Sequence, residues 1–165
     1  MTPRLSARYA VVAIAVLALG AGGLTRLASV RMSGTFDEII LVAGGLHGVE
    51  QGQWGMVRDQ PPLMLWAYGA AARGLEPELP GLGREWTPDD GWDFARLVFY
   101  SGMNEPQPLL NRARLVTTAM TVLLVAAAAG FAWWVAGPVA GVLGAVTTAL
   151  LPDVLAHGGI AYNVL

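Results

Sequence analysis

The chain contains no cysteine and no lysine. Without cysteine there is no disulfide, no thiolate metal site and no thiol nucleophile, while the redox compartment stays open. Without lysine all 10 basic residues are Arg, and against 12 acids they leave a net charge of −2. That balance excludes a nucleic-acid surface. Charge of either sign is scarce, at 13% of residues against 55% hydrophobic, and the two histidines, His47 and His157, stand alone in sequence. The class is that of a membrane protein rather than an ordinary soluble domain.

What is present is long uncharged runs. Tyr9 to Thr25 holds no charge and as a helix rises about 26 Å, near the lower limit for a span. If Arg26 snorkels, the helix extends towards Val30. The positive head, with Arg4 and Arg8, also fits a secretory signal with Ala18-Leu19-Gly20 as cleavage site. Leu115 to Pro152 is uncharged as well. One helix over that run would measure about 57 Å against a hydrocarbon thickness of about 30 Å, so two spans share it. Gly137-Pro138 marks the turn between them.

The expected architecture is an all-α integral membrane protein with three transmembrane helices, over 9–30, 115–136 and 139–158. A cytoplasmic tail covers 1–8, and an extracytoplasmic loop over 31–114 carries surface helices. The end, 159–165, has no cap or charged tail and reads as the middle of a longer chain. Arg112 and Arg114 sit at the outer end of the second span, against the positive-inside tendency: either the orientation is the reverse, or an anionic partner holds the two arginines there.

Within the loop, Phe36, Ile39, Ile40, Ala43, Leu46 and Val49 recur at helical spacing, as in a helix lying on the membrane surface. Thr35 followed by Glu38 has the spacing of a capping box. Asp37 and Glu38 then fall in the first turn, where the positive end of the helix dipole suits acidic side chains. A second helix is expected over 63–73, an irregular loop from Gly74 to Gly91 that includes Gly81 and Gly83, and a third helix over 92–101. Pro61 and Pro62 read as a rigid entry to the second helix. Gly44-Gly45 favours close packing over phosphate binding, since no strand precedes it and no lysine follows. His47 reads as a polar surface residue.

Asp37 is placed to accept a hydroxyl proton, with Glu38 orienting the base or binding a metal. The competing reading is that both acids satisfy first-turn amides. Phe36-Asp37-Glu38, the glycines Gly44, Gly45 and Gly52, and Asp59 close to Pro61-Pro62-Leu63 resemble the first outer loop of glycosyltransferase family 39. That is the protein O-mannosyltransferase group, related to other polyprenyl-phosphate-sugar transferases of the GT-C fold. The run Trp86 to Trp92, Phe99-Tyr100, Asn104 and Leu109 to Leu115 is similar to the stretch before the second span in bacterial members. Gly137-Pro138 and Leu151-Pro152 with His157-Gly158 are similar to the hairpin that follows.

The resemblance implies a partial GT-C fold, as the amino-terminal fragment of a bacterial plasma-membrane enzyme. Such an enzyme moves a sugar, with inversion, from a polyprenyl-phosphate donor to a hydroxyl of a protein, lipid or glycan on the outer face. Asp37 would be general base, Glu38 its assistant and Arg114 the contact to the donor phosphate, with Arg112 as second choice. A guanidinium meets phosphate with two parallel hydrogen bonds. A snorkelling helix-end arginine is the plain alternative for Arg114. The resemblance fixes no cofactor, and a divalent metal beside the acids stays open. Two departures from the pattern are Gln60, where mannosyltransferases of the group carry histidine, with Asp59 one position closer, and Val164 after Asn163, where an acid often stands. As an isolated fragment the chain is expected to be inactive. The reading from a different class is a small non-catalytic membrane protein whose extracytoplasmic loop is an interaction surface.

Overall fold

The computed structural model describes residues 6–81 and 85–162. Arg4, Gly83, Asn163 and Val164, and with them most of the cytoplasmic head and the end of the chain, lie outside the described residues. The described residues are all-helical, with no strand: α1 Ala7–Ser29, α2 Phe36–Gln51, α3 Pro62–Arg73, α4 Gly91–Tyr100, α5 Pro106–Ala136, α6 Pro138–Ala149 and α7 Pro152–His157. A 3₁₀ turn, Pro88–Asp90, leads into α4. The chain divides into two compact units.

One unit takes α1 up to Ala28, α5 from Thr118, and α6 and α7. Its core is made of small side chains: Ala18 and Ala21 of α1, Val125 and Ala129 of α5, Ala145 and Ala149 of α6. Such residues let helix backbones come close where no large side chain intervenes. Gly144 of α6 shows how close, because a methyl placed there would stand 2.9 Å from the Ala132 Cβ. Gly137, at φ 85°, makes the turn between α5 and α6 in a backbone region that suits glycine. Large apolar residues point outward instead, among them Leu19 and Leu24 of α1 and Leu123, Phe131 and Trp134 of α5.

α1 and α5 are long and apolar enough to cross a membrane. The continuous third span expected over 139–158 does not form. α6 ends at Ala149, Leu151 is extended (φ −60°, ψ 128°) and α7 restarts at Pro152. Pro152 has no amide to donate and steers the residue before it away from helix. With 12 residues, α6 rises about 18 Å, short of a bilayer core.

The other unit holds residues 29–117 and 160–164, of which 163 and 164 are not described. Here α2 is central rather than superficial: Ile39, Leu41, Val42, Ala43 and Leu46 are all buried, as are Glu38 and His47. Of the apolar stripe read as membrane-facing, Ile39, Ala43 and Leu46 are buried while Phe36 is exposed, and His47 is a core residue. α2 and α3 cross at glycines. A methyl on Gly45 would collide with the Leu65 carbonyl, and one on Gly69 with the Gly45 carbonyl. α4 lays Phe94, Ala95, Val98 and Phe99 into the same core.

Because the obstacle at Gly69 is backbone, neither helix can give way by changing a rotamer. Gly69→Ala is expected to cost about 3 kcal/mol, the upper end for overpacking. Gly23→Ala, where a Cβ meets nothing within 4 Å, should cost nothing. Thermal unfolding followed by helical circular dichroism distinguishes the two.

Candidate active site

The start of α2 is fixed by Thr35. Its amide donates to Glu38 Oε2 at 2.9 Å, one half of the capping box, as the spacing predicted. Glu38 does far more than cap. Arg114 donates Nε to Glu38 Oε1 and Nη2 to Oε2, both at 2.8 Å, and both side chains are fully buried. The amide of Ala161 donates to Oε1, also at 2.8 Å. Nη1 of Arg114 donates to the carbonyls of Ser29 (2.7 Å) and Met32 (2.9 Å), and Nη2 donates to Ser33 (3.0 Å). The five N–H groups of a guanidinium are therefore met inside the protein.

Arg114 belongs to a polar stripe on α5. Gln107 Nε2 donates to Val30 O at 3.0 Å and Met32 O at 3.2 Å, and Asn111 Nδ2 to Val30 O at 3.3 Å. Residues 107, 111 and 114 share one helix face. Together they meet carbonyls at the end of α1 and just past it, which an α-helix leaves unpaired. Tyr68 of α3 adds a tie: its hydroxyl donates to Tyr162 O at 2.8 Å and lies 3.2 Å from Thr117 Oγ1. Burial pushes the Tyr68 phenol up; the hydrogen bond with Thr117 opposes this in part, and the negative Glu38 adds a smaller upward push.

Asp37, next in the chain, turns elsewhere. It lines a cleft of about 330 Å³ with Arg58, Asp59 and Gln60, over Met56 and Val57, with Trp92 at its side. Trp92 also packs on Phe36, ring centroids 4.0 Å apart. Pro62 occupies the first turn of α3 and Pro61 precedes it in extended backbone, which brings the chain from Asp59 into the helix. Two acids distant in sequence thus line one hollow.

The other residues predicted for the site are distributed differently. Glu38 is behind the cleft wall, paired with Arg114, and Arg112 is exposed on α5. Among the described residues no three His, Cys, Asp or Glu side chains lie close enough to hold a metal ion. Arg58 and Gln107 were not singled out by the sequence. The 107/111/114 spacing was a readable signal for the second, and Arg58 carried none. A larger cavity, about 770 Å³, lies at the far end of α2 around Glu50, Arg73, Glu76 and Glu78, away from every predicted residue, and Arg73 and Glu50 are paired across it at 2.6 Å.

Burial alone would raise the Glu38 carboxyl. The Arg114 hydrogen bonds, the Thr35 and Ala161 amides and the Arg114 charge more than reverse this, leaving it below its usual 4.5. Burial also lowers His47 below its usual 6.5, partly offset by the contact of Nδ1 with Gln53 O. In both cases the folded protein binds protons less readily than the unfolded chain, so stability rises with pH. The His47 contribution is full above 6.5 and lost as pH falls through its folded value; that of Glu38 is full above 4.5 and lost below it. Unfolding midpoints measured from pH 8 to pH 3 should fall in two stages, and His47→Gln should flatten the first.

Comparison of the chain with protein-family models, with curated proteins and with solved structures gives no match.

Proposed function

We propose that the protein is a membrane glycosyltransferase that moves a sugar from a polyprenyl-phosphate donor to an acceptor hydroxyl, with Asp37 as general base. The observation that carries the reading is the cleft in which Asp37 and Asp59 meet Arg58 and Gln60. In this reading the active face is extracytoplasmic and the protein sits in the bacterial plasma membrane; the two long apolar helices support a membrane location.

In the reaction, the Asp37 carboxylate takes the proton from the acceptor O–H as that oxygen attacks the anomeric carbon. The bond from that carbon to the phosphate oxygen breaks on the opposite face, so configuration inverts and polyprenyl phosphate leaves. A base contributes here by being within hydrogen-bond reach of the hydroxyl. Glu38 and Arg114 act as positioning residues, since the pair holds the first turn of α2 and so presents Asp37. The donor phosphate is assigned to Arg58, which lines the cleft, because the N–H groups of Arg114 are engaged with Glu38 and three carbonyls. Acceptors of all three kinds, protein, lipid and glycan, remain compatible with an open cleft.

The internal saturation of the Glu38–Arg114 pair favours a second reading, a non-catalytic membrane protein with an extracytoplasmic interaction loop. Membranes containing the full-length protein, incubated with a panel of polyprenyl-phosphate sugars, separate the two. Release of polyprenyl phosphate dependent on an added acceptor is expected for the transferase. Silence across the whole panel, with the protein folded in the membrane, supports the interaction protein.

A further inference from the structure

α4 has three faces in use. Phe94, Ala95, Val98 and Phe99 are in the core, and Trp92 borders the Asp37 cleft. The remaining face carries Asp93, Arg96, Leu97 and Tyr100, at i, i+3, i+4 and i+7, a single stripe along the helix. With Trp86 and Ser101 this stripe lines a separate hollow of about 420 Å³. Trp86 forms its floor, held edge-on against Phe94 with ring centroids 5.0 Å apart. The Tyr100 ring is 62% exposed at its wall. Asp93 and Arg96 approach to 3.7 Å with both side chains open to solvent, too long for a hydrogen bond, so acceptor and donor capacity is left for a ligand. Ser101 shapes the rim, its hydroxyl donating to Leu97 O at 2.5 Å and accepting from the Met103 amide at 3.3 Å.

We propose that this hollow binds a single pyranose ring of a glycan. A pyranose is amphipathic, with a flat face of C–H groups and an edge of neighbouring hydroxyls. The Tyr100 ring matches the face, and the Asp93 carboxylate and Arg96 guanidinium match the edge, one accepting from adjacent hydroxyls and the other donating to them. A purely apolar ligand would leave both charges unused. A phosphate would have Asp93 against it, and a cation would have Arg96. The Trp86 ring, buried against Phe94, is already held in place and so adds no ordering cost on binding. The site does not depend on Asp37 catalysis, since no residue is shared between the two hollows.

The test is saturation-transfer difference NMR on the full chain in a sugar-free detergent, with methyl α-mannopyranoside and methyl β-glucopyranoside as probes and sorbitol as control. Transfer is expected to the C–H protons of one face of a pyranoside and not to sorbitol, which has the hydroxyls without the flat face. Tyr100→Ala and Asp93→Asn should each weaken it about three- to tenfold, the equivalent of losing one aromatic contact or one hydrogen bond to a charged group. Asp37→Asn should leave it unchanged. No transfer to either pyranoside, equal transfer to sorbitol, or full transfer in Tyr100→Ala at wild-type helical content would each overturn the proposal.

Discussion

Arg114→Met is expected to destabilise the protein by about 3–5 kcal/mol, a large share of the total stability of a small protein, because it leaves the Glu38 carboxylate buried with no counter-charge. The usual remedy for a broken buried pair is to remove the second charge as well, and an apolar replacement of both is often neutral. Here that remedy should fail. The pair also meets the carbonyls of Ser29, Met32 and Ser33 and the amides of Thr35 and Ala161; the Ser29 and Met32 carbonyls keep the Met32 amide and Gln107, but each of the other three left without a partner costs about 1–3 kcal/mol. Arg114→Met with Glu38→Leu is therefore expected to stay at least about 3 kcal/mol below wild type. Chemical unfolding of the single and double variants in the same detergent measures this. Recovery of wild-type stability in the double variant would show that the pair holds only itself, and not the five backbone groups around it.

This cluster also marks where sequence reasoning reached its limit. Local signals were sufficient for the helix starts: Thr35 with Glu38 as a box, Pro61-Pro62 before α3 and Gly137-Pro138 between α5 and α6 all fall where the spacing put them. The two long apolar helices were readable from uncharged length alone. Burial was not readable, because it depends on partners far away in the chain. Apolar spacing in α2 is the same whether the helix lies on lipid or inside a protein core, and only the glycine crossing of Gly45 with Gly69 decides for the core. The phosphate role of Arg114 came from the family resemblance, and nothing local pointed to its partner, Glu38, which is 76 residues away. The break at Leu151-Pro152 had local signals in Pro152 and in Asp153, where the uncharged run ends.

Asp37→Asn is expected to lower sugar transfer by about 100- to 10,000-fold while leaving the fold intact, because it removes the proton acceptor and keeps the size of the side chain. The prediction is sharpened by the neighbour in sequence. Glu38 is wholly buried and bound by four hydrogen bonds from Thr35, Ala161 and Arg114, whereas Asp37 is only half-buried and borders the cleft. Replacing Asp37 should then shift stability by no more than about 0.5 kcal/mol, in contrast to the loss of about 3–5 kcal/mol expected when the Glu38–Arg114 pair is broken. Arg58→Gln supplies the complementary measurement. If Arg58 meets the donor phosphate, its loss raises the donor KM, whereas loss of Asp37 lowers kcat with the donor KM little changed, since the base acts on the acceptor proton in the transition state. Steady-state transfer by the two variants of the full-length protein in matched membranes reads both parameters. An Asp37→Asn protein that turns over at the wild-type rate removes the general base from the mechanism. A fall in activity that tracks a fall in thermal stability would instead make Asp37 a structural cap, the role its position in the first turn of α2 would otherwise give it.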